Sequence, residues 1–478
     1  MRLDEYAAFD GIELARLVRR REISAAELAT TASRAIELAN PLVNAVIETY
    51  APTDFAAPGD MPFCGVPFLL KDIGSHDAGV KFELGSRLAE GLLAPPHASE
   101  LVRRFRASGV TVMGRTNIPE MGSSCTTEPA LYGPTRNPWN LERTSGGSSG
   151  GAAAAVASGM VPIAHANDAG GSIRWPAACC GLVGLKPSRN LNPVGPDEAL
   201  ALNGLAAEHI VSRSVRDTAA MLDHTAGPDT GAWCYTERLD GSYLEHSTRP
   251  PRPLRIALDL DPKFPPTKLD QSVVAAARDA ASLCQSLGHH VEEASPSFDT
   301  EAMLEAFSLI WSTSLRGGVE AVAKLTGRPI DNSTLEPHVL AARRDAAEVS
   351  GVKLNWALGQ MNDVARAYGR LFSRYDILLT PAGAMEPFEI GRIGQIPAER
   401  FFDWFMQMCA HCPFLSSVNI AGIPAMSLPL GWSRNGLPIG SHFVAPLGQE
   451  LRLLRLATQL EEAKPWRDRI PPVHVSTL

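Results

Sequence analysis

The first forty residues place their apolar positions at helical spacing. Ile12, Leu14, Ala15, Leu17 and Val18 begin one stripe, and a repeat near 3.6 residues puts such positions on one helix face. Ser24-Ala25-Ala26-Glu27 then reads as a capping box. A hydroxyl at the N-cap and a carboxylate three residues on satisfy backbone N–H groups reciprocally. The spacing predicts a helix from there to about Ala39, stopping before Pro41, because proline has no N–H to continue the ladder.

Further along, short apolar runs alternate with amphipathic stretches. Phe63 to Leu70 reads as a turn and then a strand that delivers Lys71 at its end. Ser99 to Ser108 is helical with Gly109 as its stop, and Val110 to Met113 is a short strand. A helix is predicted from Gly151 to Ser158 and strands over Val161 to Ala166 and Arg255 to Leu260. An amphipathic helix over Gln271 to Leu287 ends at Gly288, and residues 300–375 read as mainly helical. Ile377 to Pro381 and Ala425 to Pro429 return to strand character. No repeat period is visible. This alternation predicts an α/β fold, with a central mixed sheet surrounded by helices.

The chain has 478 residues, enough for several domains or one large α/β unit. The proline-rich stretch from Arg249 to Pro253 is a weak boundary. A single domain over 1–478 is expected, with a catalytic core at about 60–230 and a more variable substrate-pocket region at about 250–415. A net charge of -8 offers no basic groove for nucleic acid. Glu5, Asp10, Glu13 and Arg16 interrupt any leader-like apolar run, and no run of 18 apolar residues suggests a membrane span. The expected location is cytoplasmic. The eight cysteines are dispersed and imply no disulfide framework. Cys409-Ala410-His411-Cys412 has metal-like closeness, but no second pair completes a four-ligand set. No metal or cofactor is expected.

The chemistry concentrates in two glycine-dense segments, Gly146-Gly147-Ser148-Ser149-Gly150-Gly151 and Asp168-Ala169-Gly170-Gly171-Ser172. Backbone free of Cβ crowding lets successive N–H groups converge on a developing oxyanion. Ser172 is the best nucleophile candidate, and the N–H groups of Ala169, Gly170, Gly171 and Ser172 are the candidate oxyanion donors. A serine needs a base, and neither a G-x-S-x-G elbow nor any of the 12 histidines stands out as one. Lys71 can serve if burial beside Phe68, Leu69 and Leu70 keeps it neutral. Ser148 can relay the proton, since a hydroxyl both donates and accepts. Taken singly, each motif has a bland alternative. Lys71 could pair with Asp72, the first glycine segment could cradle a phosphate, although it lacks the P-loop ending, and the second could be an ordinary turn.

Together, Lys71, Gly146–Gly151 and Asp168–Arg174 resemble the amidase signature family, with the match densest from Gly65 to Arg189. The resemblance implies that family's α/β fold and a Ser–cis-Ser–Lys triad made of Ser172, Ser148 and Lys71. It also implies a cis peptide at Gly147–Ser148 and supporting roles for Asp168 and Arg174. Two departures are visible. Ala166-Asn167-Asp168 stands where the family commonly has Gly-Thr-Asp, and Ala169 leaves no threonine before the glycines.

The implied activity is hydrolysis of a small amide, with no cofactor and a possible homodimer as the assembly. Aromatic residues at Phe307, Trp311, Phe401, Phe402, Trp404 and Phe405 are core or pocket candidates. Cys125, Trp311 and Phe402 are put forward for the pocket. The pattern is similar to members that act on hydrophobic linear or cyclic amides, among them hydrolases of cyclic nylon oligomers. Aryl amides, carbamates and esters, a glutaminase-type subunit of an amidotransferase, and a noncatalytic binding protein are the alternatives.

Overall fold

A computed structural model describes residues 1–51 and 59–478. In chain order the strands are β1 (Val46–Thr49), β2 (Pro67–Lys71), β3 (Thr111–Thr116), β4 (Arg136–Asn137), β5 (Asn140–Thr144), β6 (Ile163–Asp168), β7 (Val183–Lys186) and β8 (Ala207–Ser212). They continue as β9 (Arg255–Leu258), β10 (His290–Glu293), β11 (Ile377–Pro381), β12 (Ala425–Trp432) and β13 (Pro438–Val444). Apart from the β4–β5 ribbon, they form one 11-stranded sheet in the order β1-β3-β2-β6-β8-β7-β12-β13-β11-β9-β10. The sheet is mixed: β2 runs parallel to β3 and β6, whereas β6–β8, β8–β7 and β7–β12 are antiparallel. Helices surround it, as the alternating pattern predicts.

Strand position follows from composition. All five residues of β2 are buried, as expected for an apolar run covered on both faces. At one edge, β10 is His-Val-Glu-Glu and largely exposed, which discourages further strand pairing. Side-chain alternation sorts the sheet into two cores. Ile256, Leu258, Ile377 and Leu379 join one apolar cluster, while Ala257 and Leu378 join the other.

The helix predicted from Ser24 runs over Ala25–Val43 and therefore passes through Pro41. Ser24 Oγ accepts from the Glu27 N–H at 3.1 Å, and the Glu27 carboxylate accepts from the Ser24 N–H at 2.9 Å. Pro41 sits in the last turn, so the bond its nitrogen cannot make is the one to Glu37 O, two residues before the helix ends. Asn44, left-handed at φ 51°, then closes the helix with its N–H on Asn40 O. The eight-residue helix Gly150–Ala157 is buried all round. Its alanines bring the first glycine segment close beneath the sheet. No helix among the described residues is long and apolar enough to cross a membrane.

Candidate active site

Two neighbouring strands carry the site. β2 ends on Lys71, and β6 next to it ends on Asp168, where the loop to Ser172 begins. The segment from Ser145 to Ser149 enters from the other side. The two loops touch where the Ser149 N–H donates to Ser172 O at 3.3 Å. Thr127 Oγ1 braces the first loop by donating to Gly146 O at 2.9 Å and accepting from the Gly150 N–H at 3.1 Å. The Gly147–Ser148 peptide is cis. A Cβ on Gly147 would lie 2.6 Å from Ser124 O and Thr126 O, so the approach of these backbones admits only glycine.

Asp168 and Arg174 fix the second loop. The carboxylate accepts from the N–H of Gly171 at 2.7 Å and of Ile173 at 3.2 Å. It also accepts from Arg174 Nε at 2.8 Å, Arg174 Nη2 at 2.9 Å and Asn419 Nδ2 at 2.9 Å. Burial alone would raise its pKa. The Arg174 guanidinium more than reverses that and holds Asp168 well below the usual carboxylate range. Arg174 Nη2 also donates to Leu415 O and Asn419 Oδ1, and Nη1 donates to His442 Nε2. This is a buried ion pair braced by further hydrogen bonds.

Lys71 is 1% exposed, and its ammonium meets only neutral oxygens at close range. Nζ stands 2.7 Å from Ser148 Oγ, 2.7 Å from Ser149 Oγ and 2.6 Å from Asn167 Oδ1. Burial pushes its pKa down to about 7 against the opposing charges of Glu208 and Asp168. A neutral amine keeps two N–H donors and one lone pair, so the three oxygens suit it if one hydroxyl donates. Lys186 is lowered to about 7 as well, by burial and then by Arg174. Its Nζ donates to Pro187 O at 2.8 Å. A depressed lysine is therefore not diagnostic alone; the serine pair around Lys71 distinguishes it.

Ser172 is 8% exposed and faces a cavity. Among the described residues, its Oγ forms no hydrogen bond, and none joins it to Ser148 Oγ. The N–H groups of Ala169, Gly170 and Ser172 have no acceptor among those residues either, whereas the Gly171 N–H is taken by Asp168. The cavity wall opposite carries Phe307, Trp311 and Phe405. Their ring centroids lie 5.1 to 5.5 Å apart. Met408 and the thiols of Cys125, Cys409 and Cys412 complete an apolar lining.

A model of the amidase family matches residues 27–454. The 6-aminohexanoate-cyclic-dimer hydrolase of Paenarthrobacter ureafaciens is 36% identical over 480 residues, spanning 97% of this chain and 96% of that protein. A solved structure of 6-aminohexanoate cyclic dimer hydrolase complexed with substrate matches with a TM-score of 0.90 at 35% identity, covering 98% of this chain and 99% of that one. A bacterial aryl acylamidase shares the fold, with a TM-score of 0.83 at 24% identity over 98% of each chain. The chain belongs to the amidase signature family. It is a hydrolase of carbon–nitrogen bonds that opens a small amide with a serine.

In this amidase the structure brings Lys71 and Ser148 into contact and sets the Ser172 loop against them. The oxyanion candidates narrow from four N–H groups to three, because Gly171 serves the turn. Cys125 and Trp311 line the cavity. Phe402 is not among its lining residues; Phe405, about one helical turn further along Phe401–Cys409, is. Cys409 and Cys412 are buried cavity-wall thiols. Sequence reasoning passed over Ser149 and the side chains of Asn167 and Asn419. The doubled serine and the departure at Asn167 were visible signals for two of them, and nothing local announces Asn419. Among the described residues, one group has metal-ligand spacing, His76, His97 and Asp197. His76 Nε2 and His97 Nε2 lie 2.9 and 3.1 Å from the Asp197 carboxylate, so the three already satisfy one another.

Proposed function

We propose that this amidase hydrolyses a small, largely apolar amide, linear, cyclic or aryl, through an acyl intermediate on Ser172. Neutral Lys71 takes the proton of Ser148 as Ser148 takes that of Ser172, and Ser172 Oγ attacks the carbonyl carbon. The N–H groups of Ala169, Gly170 and Ser172 hold the tetrahedral oxyanion, where a single donor is worth about 3–4 kcal/mol. The C–N bond breaks as the proton returns from Lys71 through Ser148 to the leaving nitrogen. Water then enters by the same relay, and the carboxylic acid leaves. The Ser148–Ser172 hydrogen bond forms with substrate in place, since catalytic hydrogen bonds often tighten only in the Michaelis complex.

The observation that carries this reading is the 2.7 Å contact between Ser148 and a buried lysine whose pKa burial lowers to about 7. The apolar cavity wall supports an apolar acyl group, and the similarity to the cyclic-dimer hydrolase supports a compact aliphatic amide. Carbamates and esters fit the same relay, with easier leaving groups. On this reading the core near 60–230 supplies the triad and the region near 250–415 supplies the aromatic wall, within a single domain. A cytoplasmic homodimer is the accompanying expectation, and light scattering on the purified chain tests the dimer. Intact-mass spectrometry with a slowly released acyl substrate tests the nucleophile. The wild type gains one acyl mass and Ser172→Ala gains none. An unchanged adduct in the variant rejects the assignment.

A further inference from the structure

Lys71 is held by a strip of polar side chains that crosses three adjacent strands. Asn167 on β6 lies directly opposite Glu208 on β8, so their side chains share one face of the sheet. His165, two residues before Asn167, shares that face too. Glu208 is 2% exposed and His165 fully buried. The Glu208 carboxylate receives both neighbours, with Oε2 2.7 Å from His165 Nε2 and Oε1 3.1 Å from Asn167 Nδ2. Each neighbour then turns its other polar atom to Lys71. His165 Nδ1 accepts from the Lys71 backbone N–H at 3.2 Å, and Asn167 Oδ1 lies 2.6 Å from Nζ.

The bonding directions in this strip are forced. A backbone N–H can only donate, so His165 Nδ1 is the bare nitrogen and Nε2 carries the hydrogen given to Glu208. Asn167 Nδ2 faces two acceptors, Glu208 Oε1 and Ile73 O at 3.3 Å. The amide is thereby fixed with its oxygen toward the lysine. A carboxylate accepts on both arms. A glutamine at 208 would offer one donor and one acceptor, leaving one neighbour facing a donor.

We propose that Glu208 is a positioning residue for this amidase, orienting Asn167 and His165 so that together they fix the Lys71 amine against Ser148. The inference rests on the assignment of Lys71 as the base. Asn167 is one of the two departures from the family pattern, which ties the brace to this chain's own sequence. The charged and titratable groups around the amine are Glu208, His165 and Asp168, the last already neutralised by Arg174. Asp72, next in the chain, is turned to Arg115. Glu198 lies within electrostatic reach of Glu208. Glu208 is therefore the carboxylate that favours the protonated amine without a cation bonded to it.

The test is the pH dependence of kcat/KM on a small amide, measured for the full chain, for Glu208→Gln and for Asn167→Ala. Loss of the carboxylate, or of the oxygen facing Nζ, destabilises the protonated amine, so the acid limb moves to lower pH. The expected displacement is about half a pH unit or more in each variant. kcat falls about tenfold while KM changes little, and the double variant is no worse than the poorer single one. Thermal melts establish that each variant is folded, and Asn167→Ala stands as the second route if Glu208→Gln does not fold. An acid limb that stays in place in a folded variant overturns the brace. Lys71→Ala separates the two readings. Turnover retained in that variant rejects the base itself, whereas its loss beside an unmoved limb in Glu208→Gln rejects the brace alone.

Discussion

Arg174 and Lys71 are both cations with at most 1% of their surface exposed, yet the fold treats them oppositely. Arg174 is bonded twice to the Asp168 carboxylate, and it also donates to neutral oxygens and a histidine nitrogen. Lys71 sees carboxylates only beyond a ring of neutral oxygens. A guanidinium stays charged in any such setting, and its fork suits a carboxylate bidentately. An ammonium without a bonded counter-ion sheds its proton when desolvated. One cation therefore serves as a permanent fastening for the Ser172 loop. The other, on the proposed mechanism, exchanges a proton with Ser148. The difference lies in the partner at contact distance, not in the depth of burial.

Removing the exchangeable proton strikes this contrast hardest. Lys71→Met keeps the volume and apolar stem but has no amine, and turnover is expected to fall by about 10³-fold or more. Single-turnover kinetics check it, and a Met variant with wild-type acylation would void the proposed base. Substrate should still bind, since the aromatic wall is untouched.

Breaking the fastening comes next. Asp168→Asn leaves Arg174 buried without its counter-ion and weakens the turn that holds the Gly171 and Ile173 N–H groups. Loss of one partner of a buried pair costs about 3–5 kcal/mol. Chemical denaturation is expected to show that loss, and activity should vanish with the loop geometry. In the wild type the Asp168 pKa is depressed, so its contribution is present above the unfolded value near 3.8 and fades as pH falls below it. A stability curve for Asp168→Asn that matches wild type at pH 7 would mean the pair is not the fastening described.

How far these features could be read from the chain depends on sequence distance. The two glycine loops and the strand leading to Lys71 were legible because their constraints are local, a turn, a close backbone approach and an apolar run. The contact between Asn419 and Asp168 spans 251 positions, and no periodicity marks it. Glu208 escaped notice because it lies in a short buried strand whose charged residue gives no sign of its partners. Phe402 and Phe405 lie three residues apart on one helix, offset by only about 60° around its axis. Without knowing which face of Phe401–Cys409 turns inward, either one fits an aromatic pocket. Pro41 misled because proline removes one bond from a helix without always ending it, and this helix continues for two further residues.

A milder probe sharpens the division between chemistry and binding. Trp311 lines the cavity and packs on Phe307 and Phe405 at 5.5 and 5.3 Å, with no contact to Lys71 or Arg174 among the hydrogen bonds and ring contacts described. Trp311→Ala is expected to raise KM for an apolar amide about tenfold while kcat changes less, as for uniform binding energy. Steady-state kinetics on amides of graded chain length measure the split. A collapse in kcat with KM unmoved would assign the ring a part in the chemistry.

The smallest expected effect is the most telling about Lys71, because it has the opposite sign to the first. Lys71 is lowered from 10.5 in the unfolded chain to about 7 in the fold. Between those values the unfolded state binds the proton more readily, so wild-type stability rises with pH across that window. Below about pH 7 both states are protonated, and the fold carries the full cost of an ammonium buried among neutral oxygens. Lys71→Met removes that cost. The inactive variant should be more stable than wild type by about 1–2 kcal/mol at pH 6, a magnitude typical of active-site groups held against stability. The advantage should shrink as pH climbs above 7 and reverse before pH 10, since each pH unit in that window is worth about 1.4 kcal/mol to wild type. Paired urea titrations at pH 6, 8 and 10 follow the reversal. Arg174→Met should show no such reversal, because its partner's charge remains buried and the guanidinium does not titrate in that range. If the Met variant at position 71 were instead less stable by a constant amount at every pH, the amine would be a paired structural cation like Arg174. The contrast between the two sites would then disappear.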